Sequence, residues 1–132
     1  MATIIAEYYI AELTDWNDSI TFYGEEMDEL EEKLEEVIRR NSIVGIAAKV
    51  EAHQTLLNQA SEKFYRLQVE LKQQEALLKT NSTYIDDTLI NEVTEKQQAE
   101  LRRRMQIIEK EYIDVKFDCY NFLSGTLKKR NS

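Results

Sequence analysis

From Tyr9 to Val37 the chain places an apolar residue at alternating steps of four and three: Tyr9, Leu13, Trp16, Ile20, Tyr23, Met27, Leu30, Leu34 and Val37. Such a heptad seam is satisfied only by a helix that buries one stripe against other helices. Run backwards, the seam takes in Ala6 and Ala2. It predicts a first helix over about 2–40, although TDWNDS (14–19) contains weak helix formers that could break it. Asn41 suits a left-handed turn position and Ser42 an N-cap.

A second seam follows with the same spacing: Ile43, Ile46, Val50, His53, Leu57, Ala60, Phe64, Leu67, Leu71, Gln74 and Leu78. His53 and Gln74 are its two polar intruders, expected as buried polar core positions. TNST (80–83) ends this helix near 79, and Thr83 with Asp86 forms a capping-box pattern. The third seam is clear at Leu101, Met105, Ile108, Tyr112, Val115, Cys119 and Phe122. Upstream it runs through Leu89, Val93 and Gln97 in steps of four, a stutter that predicts loose packing in NEVTEKQQAE (91–100).

These seams predict an all-α fold: an antiparallel up-down-up three-helix bundle of long coiled-coil-like helices at about 2–40, 43–79 and 84–125. Residues 1–125 form one domain, and TLKKRNS (126–132) a basic disordered tail. The chain has no proline and three glycines, which leaves little to punctuate a sheet. Aligning the seams by height puts Leu30, His53 and Tyr112 in one layer. Trp16 or Ile20 falls with Phe64 and Leu101 in a second, and Tyr9 with Gln74 and Ile90 in a third.

The net charge of −8 is uneven. Residues 1–41 hold twelve acidic and three basic side chains (−9), residues 42–82 four and five (+1), and residues 83–132 nine and nine (0). Within GEEMDELEEKLEEVIRR (24–40) most carboxylates fall on outward heptad positions. Glu29 with Lys33, Glu35 with Arg39 and Glu36 with Arg40 are spaced to pair along the helix. That leaves an acidic stripe at Glu25, Asp28 and Glu32.

Chemistry is sparse. His53 is the only histidine and Val50 stands three residues before it, so the Glu-x-x-His pattern of a carboxylate-bridged di-metal bundle is missing. His53 is expected to hydrogen-bond across the core, with Tyr112 as its partner; a pH-sensing role is the minor alternative. The single cysteine, Cys119, excludes an internal disulfide and sits on a seam. No glycine-rich phosphate loop occurs. The reading is therefore no enzyme, no cofactor, no metal and no small-molecule substrate. RRR (102–104) and KKR (128–130) fan around a helix instead of forming a stripe, which makes nucleic acid an unlikely partner. The N-terminal stretch carries Glu7 and Glu12, unlike a signal peptide or membrane span, so the expectation is a cytoplasmic protein without membrane contact.

Apolar residues off the seams point to protein contacts. Ile113, Phe117 and Tyr120 form a second stripe on the third helix, and Ile4, Tyr8 and Phe22 lie outside the first seam. Self-association as a homodimer is the leading expectation. A chaperone or adaptor for an amphipathic helix comes next, and an acidic nucleic-acid mimic third.

Trp16, Phe22-Tyr23, LEEV (34–37), Asn41 and Val50-Glu51 through Gln54 together resemble a set of short helical proteins of Bacteroidota that have no assigned activity. The resemblance covers about the first 60 residues. It implies a bacterial cytosolic helical protein and carries over no functional residue.

Overall fold

Three helices dominate the structure, a computed structural model that describes residues 2–41 and 43–130. α1 runs Ile4–Arg40, α2 Ile46–Leu78 and α3 Glu92–Arg130. The chain is an all-α three-helix bundle. α1 is continuous through TDWNDS, because the seam residues on either side, Leu13 and Ile20, are both buried and packing outweighs weak propensity.

The helix ends differ from the sequence expectation in several places. Asn41 takes no left-handed conformation; it closes α1 from its side chain, Nδ2 donating to the Val37 carbonyl at 3.0 Å. The left-handed position belongs to Gly45 (φ 86°), so α2 starts at Ile46 and not at 43. The N-cap proposed for Ser42 lies outside the described residues. At the other end of α2, Thr80-Asn81-Ser82-Thr83 is not a helix cap. It is a two-residue hairpin joining β1 (Lys79–Thr80) to β2 (Thr83–Tyr84). Asn81 and Ser82 both have positive φ, 52° and 65°, as type I′ turns require.

Asp86 likewise caps no α-helix. Its carboxylate accepts from the Thr88 amide and hydroxyl and opens a short 3-10 turn, Asp87–Leu89. That turn docks on the start of α1: Asp87 Oδ1 accepts from the Ile5 amide at 2.9 Å, and the Asp87 amide donates to the Ala2 carbonyl at 2.8 Å. One free N–H of α1 is thereby satisfied by a carboxylate 82 residues away, on the positive end of the helix dipole. α3 then begins at Glu92, where Asn91 Oδ1 accepts from the Thr94 amide at 2.8 Å. At its far end α3 continues through Arg130, past the expected limit at 125. Residues 131–132 of the expected tail lie outside the described residues.

The chain divides into two compact units. Unit 1 joins Met1–Thr21 to Phe64–Ile107, and unit 2 joins Phe22–Lys63 to Ile108–Ser132. Each unit is up-down-up. In unit 1, α1 and α2 run oppositely, with Asn17 bonded to Gln68, while α1 and α3 run together, with Tyr9 meeting Gln98 and Glu12 meeting Arg102. In unit 2, Glu31 meets Gln54, Tyr23 meets Glu109, and Glu26 meets Lys116.

These pairs displace α3 by roughly two turns from the expected layers. Gln98, not Ile90, joins Tyr9 and Gln74; Tyr112 meets Glu26; and His53 stacks on Phe122. The displacement follows from the connection, since residues 79–91 are spent on the hairpin and the 3-10 turn before α3 starts.

Candidate interaction surfaces

The seam of α3 does not stutter. Leu89 and Val93 are exposed, Val93 by 74 %, whereas Thr94 and Gln98 are buried. The buried series Thr94, Gln98, Leu101, Met105, Ile108 and Tyr112 keeps the alternation of four and three, with polar residues at its first two places.

Those polar residues belong to a buried network in unit 1. Gln74 (1 % exposed) donates from Nε2 to the Thr94 carbonyl and to Gln98 Oε1, both at 3.1 Å. Gln98 (0 % exposed) donates to the Tyr9 carbonyl at 3.1 Å and to Glu12 Oε1 at 3.2 Å. Arg102 closes the network with a two-pronged grip on Glu12, at 2.6 and 2.8 Å. Burial alone would raise the Glu12 pKa, but the hydrogen bonds from Arg102 and Gln98 outweigh it and hold the carboxyl below its ordinary value. Gln74 Oε1 is left buried without a donor.

The triple arginine is consumed in three directions. Arg102 pairs with Glu12, Arg103 with Glu100 at 2.6 Å and Arg104 with Glu70. Each guanidinium is committed to a carboxylate of the same unit, which leaves no arginine stripe for phosphates. The side chains of KKR (128–130) lie outside the described residues.

In unit 2 the groove between α1 and α3 is lined by paired polar groups. Tyr23 donates to Glu109 Oε2 at 2.7 Å, and Glu26 accepts from both the Tyr112 hydroxyl (3.0 Å) and the Lys116 ammonium (2.6 Å). The Tyr23 and Tyr112 rings sit 4.9 Å apart. Burial, reinforced by the Glu109 carboxylate, pushes the Tyr23 phenol up to about 12; burial and Glu26 raise Tyr112 further still. Tyr112 is therefore not the partner of His53, whose Nδ1 is buried without a hydrogen bond while its ring stacks on Phe122 at 4.7 Å. His53 as a whole is half-buried; Gln74 is fully buried as expected.

Phe22, Ile113 and Tyr120 border this groove, Phe117 follows Ile113 by one turn on the outward side of α3, and all four are exposed, Phe117 by 58 %. Ile113 and Tyr120 stand one heptad apart on α3, each four residues beyond a groove residue, Glu109 and Lys116. Phe22 adjoins Tyr23, with ring centroids 6.0 Å apart, and the Lys116 ammonium lies 5.8 Å from the Tyr120 ring. Ile4 and Tyr8 are exposed too, but they belong to unit 1. Glu25, Asp28 and Glu32 are exposed with no cation in ion-pair reach among the described residues. Of the three expected helix pairs, Glu36 with Arg40 forms, at 2.6 Å.

No group of three or more metal-ligating side chains occurs among the described residues. Cys119 is buried, and burial, with Glu31 adding repulsion, raises its thiol to about 11. It is protonated at neutral pH and a poor nucleophile. No helix of the described residues is long and apolar enough to cross a membrane.

Known proteins give no further guide. No family model, no curated protein and no solved structure matches the chain. Function must be argued from these surfaces alone.

Two features escaped the sequence reading. Gln98 and Thr94 occupy core positions with polar side chains, and only their spacing from Leu101 could have revealed them. A cleft of about 430 Å³ in unit 2, between the α1–α2 turn and α3, is lined in part by Asn41, Ile46, Lys49, Phe122 and Gly125 and carries no sequence motif.

Proposed function

We propose that this chain is a non-enzymatic interaction module of the bacterial cytoplasm, a coiled-coil-type bundle that pairs with a second copy through the α1–α3 face of unit 2. The observation that carries this reading is the exposure of Phe22, Ile113, Phe117 and Tyr120 around a groove whose polar groups already satisfy one another. Covering such a face removes apolar surface from water without stranding a hydrogen bond. Phe117, between Ile113 and Tyr120 in the α3 stripe and the most exposed of the three, is the natural anchor. Sedimentation of the purified chain tests the idea. The parent is expected to dimerise at roughly tens of micromolar, with Phe117→Asp weakening association by about 30-fold or more. A parent that stays monomeric, or a variant that dimerises equally well, removes the reading.

A second reading, an adaptor for a partner's amphipathic helix, draws on unit 1. Leu77, Leu89 and Val93 are exposed there, and Leu77 and Val93 line a cleft of about 230 Å³. A helix laid into that cleft would supply the apolar cover they lack. A photo-crosslinker at Val93 separates the two readings in cells: attachment to one other protein favours the adaptor, and absence of any product at Val93 ends it.

A further inference from the structure

The cleft of unit 2 is used by neither reading, and its lining is chemically specific. It lies between the turn from α1 to α2 and the last turns of α3, and its volume of about 430 Å³ falls within the range of small-ligand sites. Ile43, Ile46 and Phe122 supply apolar walls. Phe122 is braced from behind by the nearly parallel ring of His53, at 28°. Among the described residues Lys49 is the one charged residue of the lining, and it is exposed with no carboxylate partner.

Gly125 adds an independent observation. It sits inside α3, where glycine weakens a helix, yet a Cβ built on it meets nothing within 4 Å. Protein packing does not require a glycine there. What the missing side chain leaves open is the cleft itself.

We infer that this cleft binds a small anionic amphiphile, its carboxylate or phosphate head held by Lys49 and its apolar body lying between Ile43, Ile46 and Phe122. Free single-chain acids and the anionic lipids of a bilayer share that chemistry. Calorimetric titration with sodium octanoate, and with 1-octanol as the uncharged control, tests the site on the full chain. Octanoate is expected to saturate one site per chain. Gly125→Leu, whose Cβ has open space and whose side chain fills the cleft, should weaken binding at least tenfold while leaving the thermal midpoint at or above that of the parent. Lys49→Gln should weaken octanoate about tenfold and leave octanol unchanged. Phe117→Asp should bind as the parent does, so the site stands or falls separately from dimerisation. Cosedimentation with phosphatidylglycerol vesicles that Gly125→Leu abolishes identifies a bilayer lipid as the source; octanoate binding without cosedimentation identifies the free amphiphile. No saturable octanoate binding by the parent, or binding that Gly125→Leu leaves intact, overturns the inference.

Discussion

Gln98→Ala is expected to destabilise the chain by about 2–4 kcal/mol, among the largest effects of any single polar substitution here. Gln98 is fully buried and holds three partners: it donates to the Tyr9 carbonyl and to Glu12, and it accepts from Gln74. Alanine strands those groups in a dry interior and leaves a cavity beside Leu101. Gln74 already has one buried oxygen without a donor, so its amide would be left with the Thr94 carbonyl alone. The double variant Gln74→Leu, Gln98→Leu should behave differently. It removes the buried polar groups together, and such replacements of similar volume are often neutral or stabilising. Urea unfolding should therefore place the double variant within about 1 kcal/mol of the parent. Its loss is expected in uniqueness. Without the glutamine pair the α2 seam keeps no buried side-chain hydrogen bond to α3, only the more exposed Glu70–Arg104 and Lys63–Glu111 pairs at its flanks, so side-chain signals should broaden while helix content persists. A double variant as unstable as Gln98→Ala would show that shape, and not hydrogen bonding, makes this layer matter.

The same layer marks where the sequence was legible and where it was not. Three helices, their order and their buried stripes could be read because Leu13, Leu30, Phe64, Leu71 and Leu101 are apolar at helical spacing, and all five are buried. The start of α3 could not be read in the same way. Thr83 and Asp86 imitate a capping box, while the working cap, Asn91 with Thr94 and with Glu92 and Glu95 in the first turn, looks like ordinary polar helix. Leu89 and Val93 then draw the seam onto the wrong face, because hydrophobicity outweighs spacing in any apolar count. Once α3 is started too early, every layer involving it slips, and His53 is handed Tyr112 in place of Phe122. The off-seam surface was legible because its residues are large, apolar and out of phase. The cleft was not, since a glycine that leaves space and a lysine without a partner have no pattern until the backbone brings them together.

Above pH 10, unit 2 should lose stability through two phenols. Tyr112 donates to Glu26 and Tyr23 to Glu109, and burial together with those carboxylates holds both phenols protonated beyond their ordinary range, Tyr23 to about 12. In the unfolded chain both titrate near 10. A folded pKa raised above the unfolded value gives stability that is complete below about pH 10 and is lost as pH rises toward the folded value. Over that window each tyrosine contributes a slope of up to about 1.4 kcal/mol per pH unit. The Tyr23 share should be smaller, because its side chain is partly open to solvent and its carboxylate partner is screened. Urea unfolding at intervals from about pH 9 to 12 should show the decline in the parent and a shallower one in Tyr112→Phe. Tyr112→Phe will cost some stability at neutral pH, since Glu26 keeps Lys116 but loses the phenol. The test is the difference in slope. If the two curves run parallel to pH 12, the Tyr112 hydroxyl titrates as readily in the folded chain as in the unfolded one, and the buried bond to Glu26 does not hold its proton.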